Sequence, residues 1–126
     1  MKNIAICGIV RNCGIYLPKI FNNIENLKKK LKNFNVYSVF AYDNCTDNSE
    51  ELLQNYKNKS NNVIIRSIEN KHEFRCVRIS NARNVVLDII NNELTNIEFH
   101  IMIDTDDKNV IPWKYNLINK YLNNFD

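Results

Sequence analysis

Ile4-Ala5-Ile6-Cys7-Gly8-Ile9-Val10-Arg11-Asn12 begins with seven uncharged residues and closes abruptly on an arginine and an asparagine. A short apolar run without polar alternation is what a strand buried on both faces requires, and such strands belong to parallel sheets. Outward from it, Leu17 to Phe34 repeats apolar residues at Leu17, Ile20, Phe21, Ile24, Leu27 and Leu31. That is helical spacing, and Pro18 suits the first turn. Val36 to Tyr42, β-branched and aromatic, reads as a second strand. Asp47-Asn48-Ser49-Glu50 then has the form of a capping box, with Asp47 as cap of a helix running to about Tyr56. Val63 to Ile68 is a third strand, and Glu69 to Arg78 is polar and irregular. Ser80 is placed to cap a helix from Asn81 to Asn92, with Ala82, Val85, Val86, Ile89 and Ile90 on its buried side. Phe99 to Ile103 is a fourth strand, and Pro112-Trp113 opens a last helix carrying Leu117, Ile118 and Leu122. The order βαβαβαβα, without internal repeat, predicts an α/β fold: a three-layer, Rossmann-like parallel sheet flanked by helices.

The chain's 126 residues are read as one domain, 1–126. With 44% hydrophobic and 25% charged residues, disorder is excluded. Asn fills 24 positions but is scattered among apolar ones, which points to AT-rich coding and away from a prion-like tract. A net charge of +3 is too mild for a nucleic-acid partner. Lys28, Lys29, Lys30 and Lys32 read as a solvated face. Cys7, Cys13, Cys45 and Cys76 lack CxxC spacing, so four free thiols in a reducing cytoplasm are expected, with no zinc site. No signal peptide and no membrane span is expected, since Ile4 to Val10 falls far short of the roughly 20 residues a span needs.

In an open parallel sheet, ligands bind beyond the carboxyl ends of the strands, where strand order reverses. Here each strand runs into residues capable of chemistry. The first ends in Arg11-Asn12 and the second in Asp43-Asn44. The third leads to His72, Arg75, Arg78 and Arg83, with Arg66 and Lys71 grouped nearby, and the fourth ends in Asp104-Thr105-Asp106-Asp107. Three carboxylates so close together repel one another unless a cation joins them. Mg²⁺ or Mn²⁺ takes such oxygen ligands together with substrate phosphates, so Asp104, Asp106 and Asp107 are the candidate metal ligands. Arg83, expected in a helix's first turn, would hold a phosphate by paired hydrogen bonds. The bland reading of Arg75 and Arg78 is a surface salt bridge to Glu69 or Glu73. Asp43 could accept from a ribose or a base edge, or merely cap its turn. His72 shows no acid–base partner, and Trp113 and Tyr115 read as core residues before sugar platforms. Metal, arginines and a ribose acceptor together describe a nucleoside-diphosphate site.

Four pieces carry a family resemblance: Ile4 to Asn12, Asp43-Asn44 with Thr46-Asp47, Ala82-Arg83-Asn84, and Ile103 to Asp107. In that order they resemble the N-terminal half of a GT-A-fold glycosyltransferase. The pattern is most similar to the cryptococcal capsule-associated mannosyltransferase family and to glycosyltransferases of large DNA viruses. The resemblance implies that Asp104-Thr105-Asp106 is a DxD motif, with Asp106 and Asp104 on the metal and Asp107 in support. It further implies that Arg83 positions the donor, that Asp43 contacts base or ribose, and that Arg11, Asn12, Asn44 and Arg78 line the nucleotide pocket. The donor would be a GDP- or UDP-linked sugar; the acceptor and its base are not identified. Relatives continue well past the DxD strand, so the chain is expected to be truncated after it and one helix. A catalytically inactive sugar-nucleotide-binding or protein-interaction module is the alternative. An exposed fourth strand would then invite a homodimer. A haloacid-dehalogenase nucleophile motif is rejected, because that motif should open a fold and here little follows it.

Overall fold

A computed structural model describes residues 1–69, 71 and 73–124. The elements are β1 (Lys2–Val10), α1 (Leu17–Lys30), β2 (Phe34–Tyr42), α2 (Ser49–Lys59), β3 (Val63–Ser67), α3 (Arg75–Asn92), β4 (Ile97–Met102), one 3-10 turn (Asp107–Asn109) and α4 (Tyr115–Asn123). The four strands form one parallel sheet in the order β3-β2-β1-β4. The chain steps outward from β1 to β3, then crosses back to lay β4 on the far side of β1. Right-handed crossovers therefore put α1 and α2 on one face and α3 on the other.

The apolar clusters show why β1 has no polar residue in its middle. Ile4, Ile6 and Val10 pack with Leu17, Ile20, Ile24 and Leu27 of α1, Leu53 and Tyr56 of α2, and Leu122 of α4. The intervening Ala5 and Cys7, with Val39 and Ala41 of β2, receive Val86, Ile89 and Ile90 of α3. Cys7 is fully buried, and burial pushes its thiol pKa up to about 11. Trp113 and Tyr115 pack against the first cluster, as core residues. Asn23, only 2% exposed, ties α1 to the segment after β4. Its amide donates to Asn109 O (2.8 Å) and Ile111 O (3.0 Å), and its Oδ1 accepts from Tyr115 Oη at 2.6 Å.

Two boundaries depart from the sequence expectation in ways that matter. α3 starts at Arg75, not Asn81, and Ser80 lies inside it without capping. The segment carries neither glycine nor proline, so nothing breaks the helix there. Asp47 does not cap α2; Asn48 holds that position. Asp47 works one residue earlier as a clamp, its Oδ1 accepting from Ser49 N (3.0 Å) and its Oδ2 from Gly14 N (2.9 Å). A hydrogen bond from the Ser49 side chain, and after it these backbone donors, hold the Asp47 carboxyl below the usual carboxylate range.

β4 forms an edge of the sheet, with a register shift against Asn3/Ile4. Phe99, Ile101 and Ile103 pack on the α1 side, while Glu98 and His100 are exposed. Among the described residues no strand pairs with its outer side. None of the described helices is long and apolar enough to cross a membrane.

Candidate nucleotide site

The strand-order reversal between β1 and β4 opens a cleft of about 620 Å³ at the carboxyl edge of the sheet. Ile9, Val10, Arg11 and Cys13 form its β1 side and Asp43 comes from the end of β2. Met102 to Asp106 make one wall; Arg75, Arg78, Ile79, Ala82 and Arg83 of α3 make the other. The α3 residues recur at i, i+3, i+4, i+7 and i+8, so a single helix face looks into the cleft. That face carries guanidinium groups in its first half and turns apolar at Val86, Ile89 and Ile90, where it meets the sheet.

The β4 wall is tied to β1 by short contacts. Ile103 N donates to Cys7 O at 2.8 Å, and the buried Thr105 hydroxyl donates to Ile9 O at 2.6 Å. Thr105 Oγ1 also lies 3.3 Å from Cys13 Sγ. Gly8 permits this approach, because a Cβ there would stand 3.0 Å from Thr105 Cγ2 and 3.2 Å from Ile103 O. Thr105, inward, therefore turns Asp104 and Asp106 to the open side of the cleft by strand-like alternation. Asp104 Oδ1 lies 4.0 Å from an Arg83 Nη, and its backbone carbonyl accepts from Asn109 Nδ2 at 2.6 Å. Asp106 Oδ1 accepts from Lys108 N at 3.0 Å, capping the 3-10 turn.

Of the candidate residues, Arg11, Asp43, Arg75, Arg78, Arg83, Asp104 and Asp106 meet at the cleft; Asn12, Asn44 and Asp107 do not line it. Asp107 instead begins the 3-10 turn, and among the described residues no group of three or more metal-ligating side chains converges. Arg83 is not in a first turn: it lies eight residues beyond the start of α3, a place held by Arg75 and Arg78. Arg78 Nη1 donates to the backbone Glu73 O at 2.8 Å. Arg66 and Lys71 leave the group, pairing with Glu93 (2.6 Å) and Glu69 (3.9 Å). His72 lies outside the described residues. Asp43 is 7% exposed.

Asn12 acts outside the cleft. With φ at 53°, it turns its Oδ1 to accept from Thr46 N (2.7 Å), Thr46 Oγ1 (3.3 Å) and Asp47 N (3.3 Å). Asn tolerates this left-handed conformation better than most residues. Together with Asp47 it locks the loops after β1 and β2 to each other. Sequence reasoning missed Thr105 and Cys13, the first because a Thr between two acids looks like a spacer. The inward side of the β4 alternation was its available signal.

No family model matches the sequence, and no curated protein matches it significantly. Among solved structures, the chain is similar to TarS of S. aureus, a glycosyltransferase, with a TM-score of 0.57 and 21% identity over 84% of this chain and 17% of that one. Residues 1–349 of TarS give a TM-score of 0.54 and 21% identity over 84% of this chain and 28% of that chain. The likeness is one of fold, an α/β, Rossmann-like parallel sheet flanked by helices that matches this glycosyltransferase. This chain spans less than a third of either TarS chain.

Proposed function

We propose that the cleft holds the nucleoside diphosphate of a sugar donor, and that the chain is the donor-binding half of a glycosyltransferase. The observation that carries this reading is the pairing of walls: Asp104 and Asp106 on one side, Arg75, Arg78 and Arg83 on the other, at the strand-order reversal. Guanidinium groups bind phosphate oxygens by parallel hydrogen bonds. Buried Asp43 is an acceptor for a ribose hydroxyl or the N–H edge of a base. Two exposed or half-exposed carboxylates fit Mg²⁺ or Mn²⁺, which commonly binds through one or two carboxylates plus substrate phosphates. Asp104 and Asp106 would hold that ion. Once bound, it would neutralise the charge that builds on the departing nucleoside diphosphate.

The test is calorimetric titration with GDP-mannose, UDP-glucose and UDP-N-acetylglucosamine, with and without Mn²⁺, on the wild type and on Asp106→Asn. GDP-mannose enters because the sequence motifs resemble those of the capsule-associated mannosyltransferase family. The variant is suited to the purpose because Asn caps as well as Asp, so the 3-10 turn is retained. Metal-dependent binding of one donor, lost in the variant, is the expected result. A folded protein that binds none of them overturns the reading. The alternative is a donor-binding module without turnover. Release of nucleoside diphosphate from the bound donor separates the two. A homodimer through the β4 edge belongs to the same proposal, and a monomer by light scattering would remove it.

A further inference from the structure

At the amino edge of the sheet, opposite the cleft, lies a concentration of positive charge that donor binding does not use. α1 and α2 both run back from the carboxyl edge, so their C-termini emerge there together. They adjoin directly: Lys28 Nζ donates to Ser60 Oγ (3.1 Å) and Asn61 O (3.0 Å), just past the end of α2. The last turn of α1 supplies Lys28, Lys29 and Lys30, that of α2 supplies Lys57 and Lys59, and Lys32 follows α1. All but Lys28 are exposed.

Residues 25–33 and 57–62 contain six lysines and one acid, Glu25, a net of +5 in a chain whose total is +3. Everything else therefore sums to −2. Glu25 is committed locally, at 3.1 Å from Lys28 Nζ and accepting from Tyr56 Oη (2.9 Å) and Ser60 Oγ (2.7 Å). The two helix C-termini welcome cations, but each is equivalent to only about half a negative charge. Together they answer for about one of the five.

We propose that this lysine patch docks the protein on an anionic lipid surface, with the cleft facing away. The patch is built from lysine alone, with no arginine or exposed aromatic residue in either segment. Bidentate guanidinium contacts and stacking platforms, the usual means of holding a nucleic acid, are absent from it. Lysines are mobile point charges that suit a diffuse field of lipid headgroups. The surface is independent of the donor reading, since no patch residue lines the cleft.

Co-sedimentation with phosphatidylcholine vesicles, with and without phosphatidylserine, tests it. The wild type should partition onto the phosphatidylserine vesicles at low salt, release as salt rises, and ignore the neutral vesicles. Replacing Lys29, Lys30, Lys57 and Lys59 by Gln should weaken partitioning roughly fivefold for each lysine removed. The variant's thermal melt should be unchanged, because these side chains are exposed. Failure of the folded wild type to bind at low salt overturns the proposal. So does equal binding to neutral vesicles, an unweakened variant, or retention by single-stranded RNA without any on vesicles.

Discussion

Replacing Gly8 by Ala tests whether close approach of β4 to β1 builds the cleft. The added methyl would lie 3.0 Å from Thr105 Cγ2, 3.2 Å from Ile103 O and 3.4 Å from Phe40 Cε1. The first two are tighter than ordinary van der Waals contact, the Phe40 contact is not, and the Ile103 oxygen is backbone that moves only with the strand end. Two effects oppose each other. Overpacking costs about 1–3 kcal/mol, while Ala in place of a mid-strand Gly recovers about 0.5–1 kcal/mol of chain entropy. Gly8 has no positive φ, so Ala suffers no further backbone penalty. The balance is a loss of about 1–2 kcal/mol. Thr105→Ser removes the nearest methyl, keeps the hydroxyl on Ile9 O, and alone costs about 1 kcal/mol. In the double variant the worst contact is gone and only the Ile103 carbonyl still crowds the new methyl. The pair should therefore be more stable than the sum of its parts by about 1 kcal/mol. Urea unfolding, followed by Trp113 fluorescence and far-UV circular dichroism, reads each corner of the cycle. Additivity within about 0.5 kcal/mol would refute the argument that Gly8 is there to admit Thr105.

Asp47 governs acid stability at the loop clamp. Its folded carboxyl is lowered, so its contribution is complete above the unfolded carboxylate value and fades as pH falls toward the folded one. Asp47→Asn should be destabilised at neutral pH, and the difference from wild type should narrow below about pH 4 in acid titrations. Asn23→Ala leaves Asn109 O and Ile111 O without their amide donor and Tyr115 Oη without its acceptor. A loss of about 2–4 kcal/mol is expected by urea titration, and a change under about 1 kcal/mol would contradict the role given to Asn23. Cys7, buried and titrating near 11, should resist iodoacetamide at pH 8 in the folded protein, whereas exposed Cys76 reacts.

The sheet was legible because β1 faces two cores. Ile4 and Ile6 look one way, Ala5 and Cys7 the other, so burial on both sides erases polar alternation. The first turns of α3 escaped the same reading because their inward face holds Arg75 and Arg78, charged side chains that periodicity assigns to solvent. A charged cleft wall and a surface loop look alike in one dimension. The misplacement of Arg83 follows directly, since it was anchored to a start six residues too late. Asp104 and Asp106 line the cleft from the end of the fourth strand, where the sequence put them, while the separation of Asp107 from them depends on a 3-10 turn that sequence spacing does not reveal. Asp47 was recognised as a hydrogen-bonding acid but given a helical partner. Its bond to Gly14 crosses between loops 33 residues apart, a tertiary fact.

The order of the strands also says when the cleft comes into existence as the chain folds. β1 pairs with β2 across about thirty residues of chain, Lys2 meeting Phe34. Its pairing with β4 must close a far larger loop, as Cys7 and Ile101 are 94 residues apart. By loop-closure entropy alone, that is about 1 kcal/mol dearer. β1, α1, β2, α2 and β3 can thus assemble first, and β4 arrives last, carrying Asp104 and Asp106 with it. A ligand bridging Asp43 and Asp104 would recognise only the finished chain and would pull folding to completion. Hydrogen exchange would record this as early exchange of the β4 amides, slowed selectively when that ligand is bound.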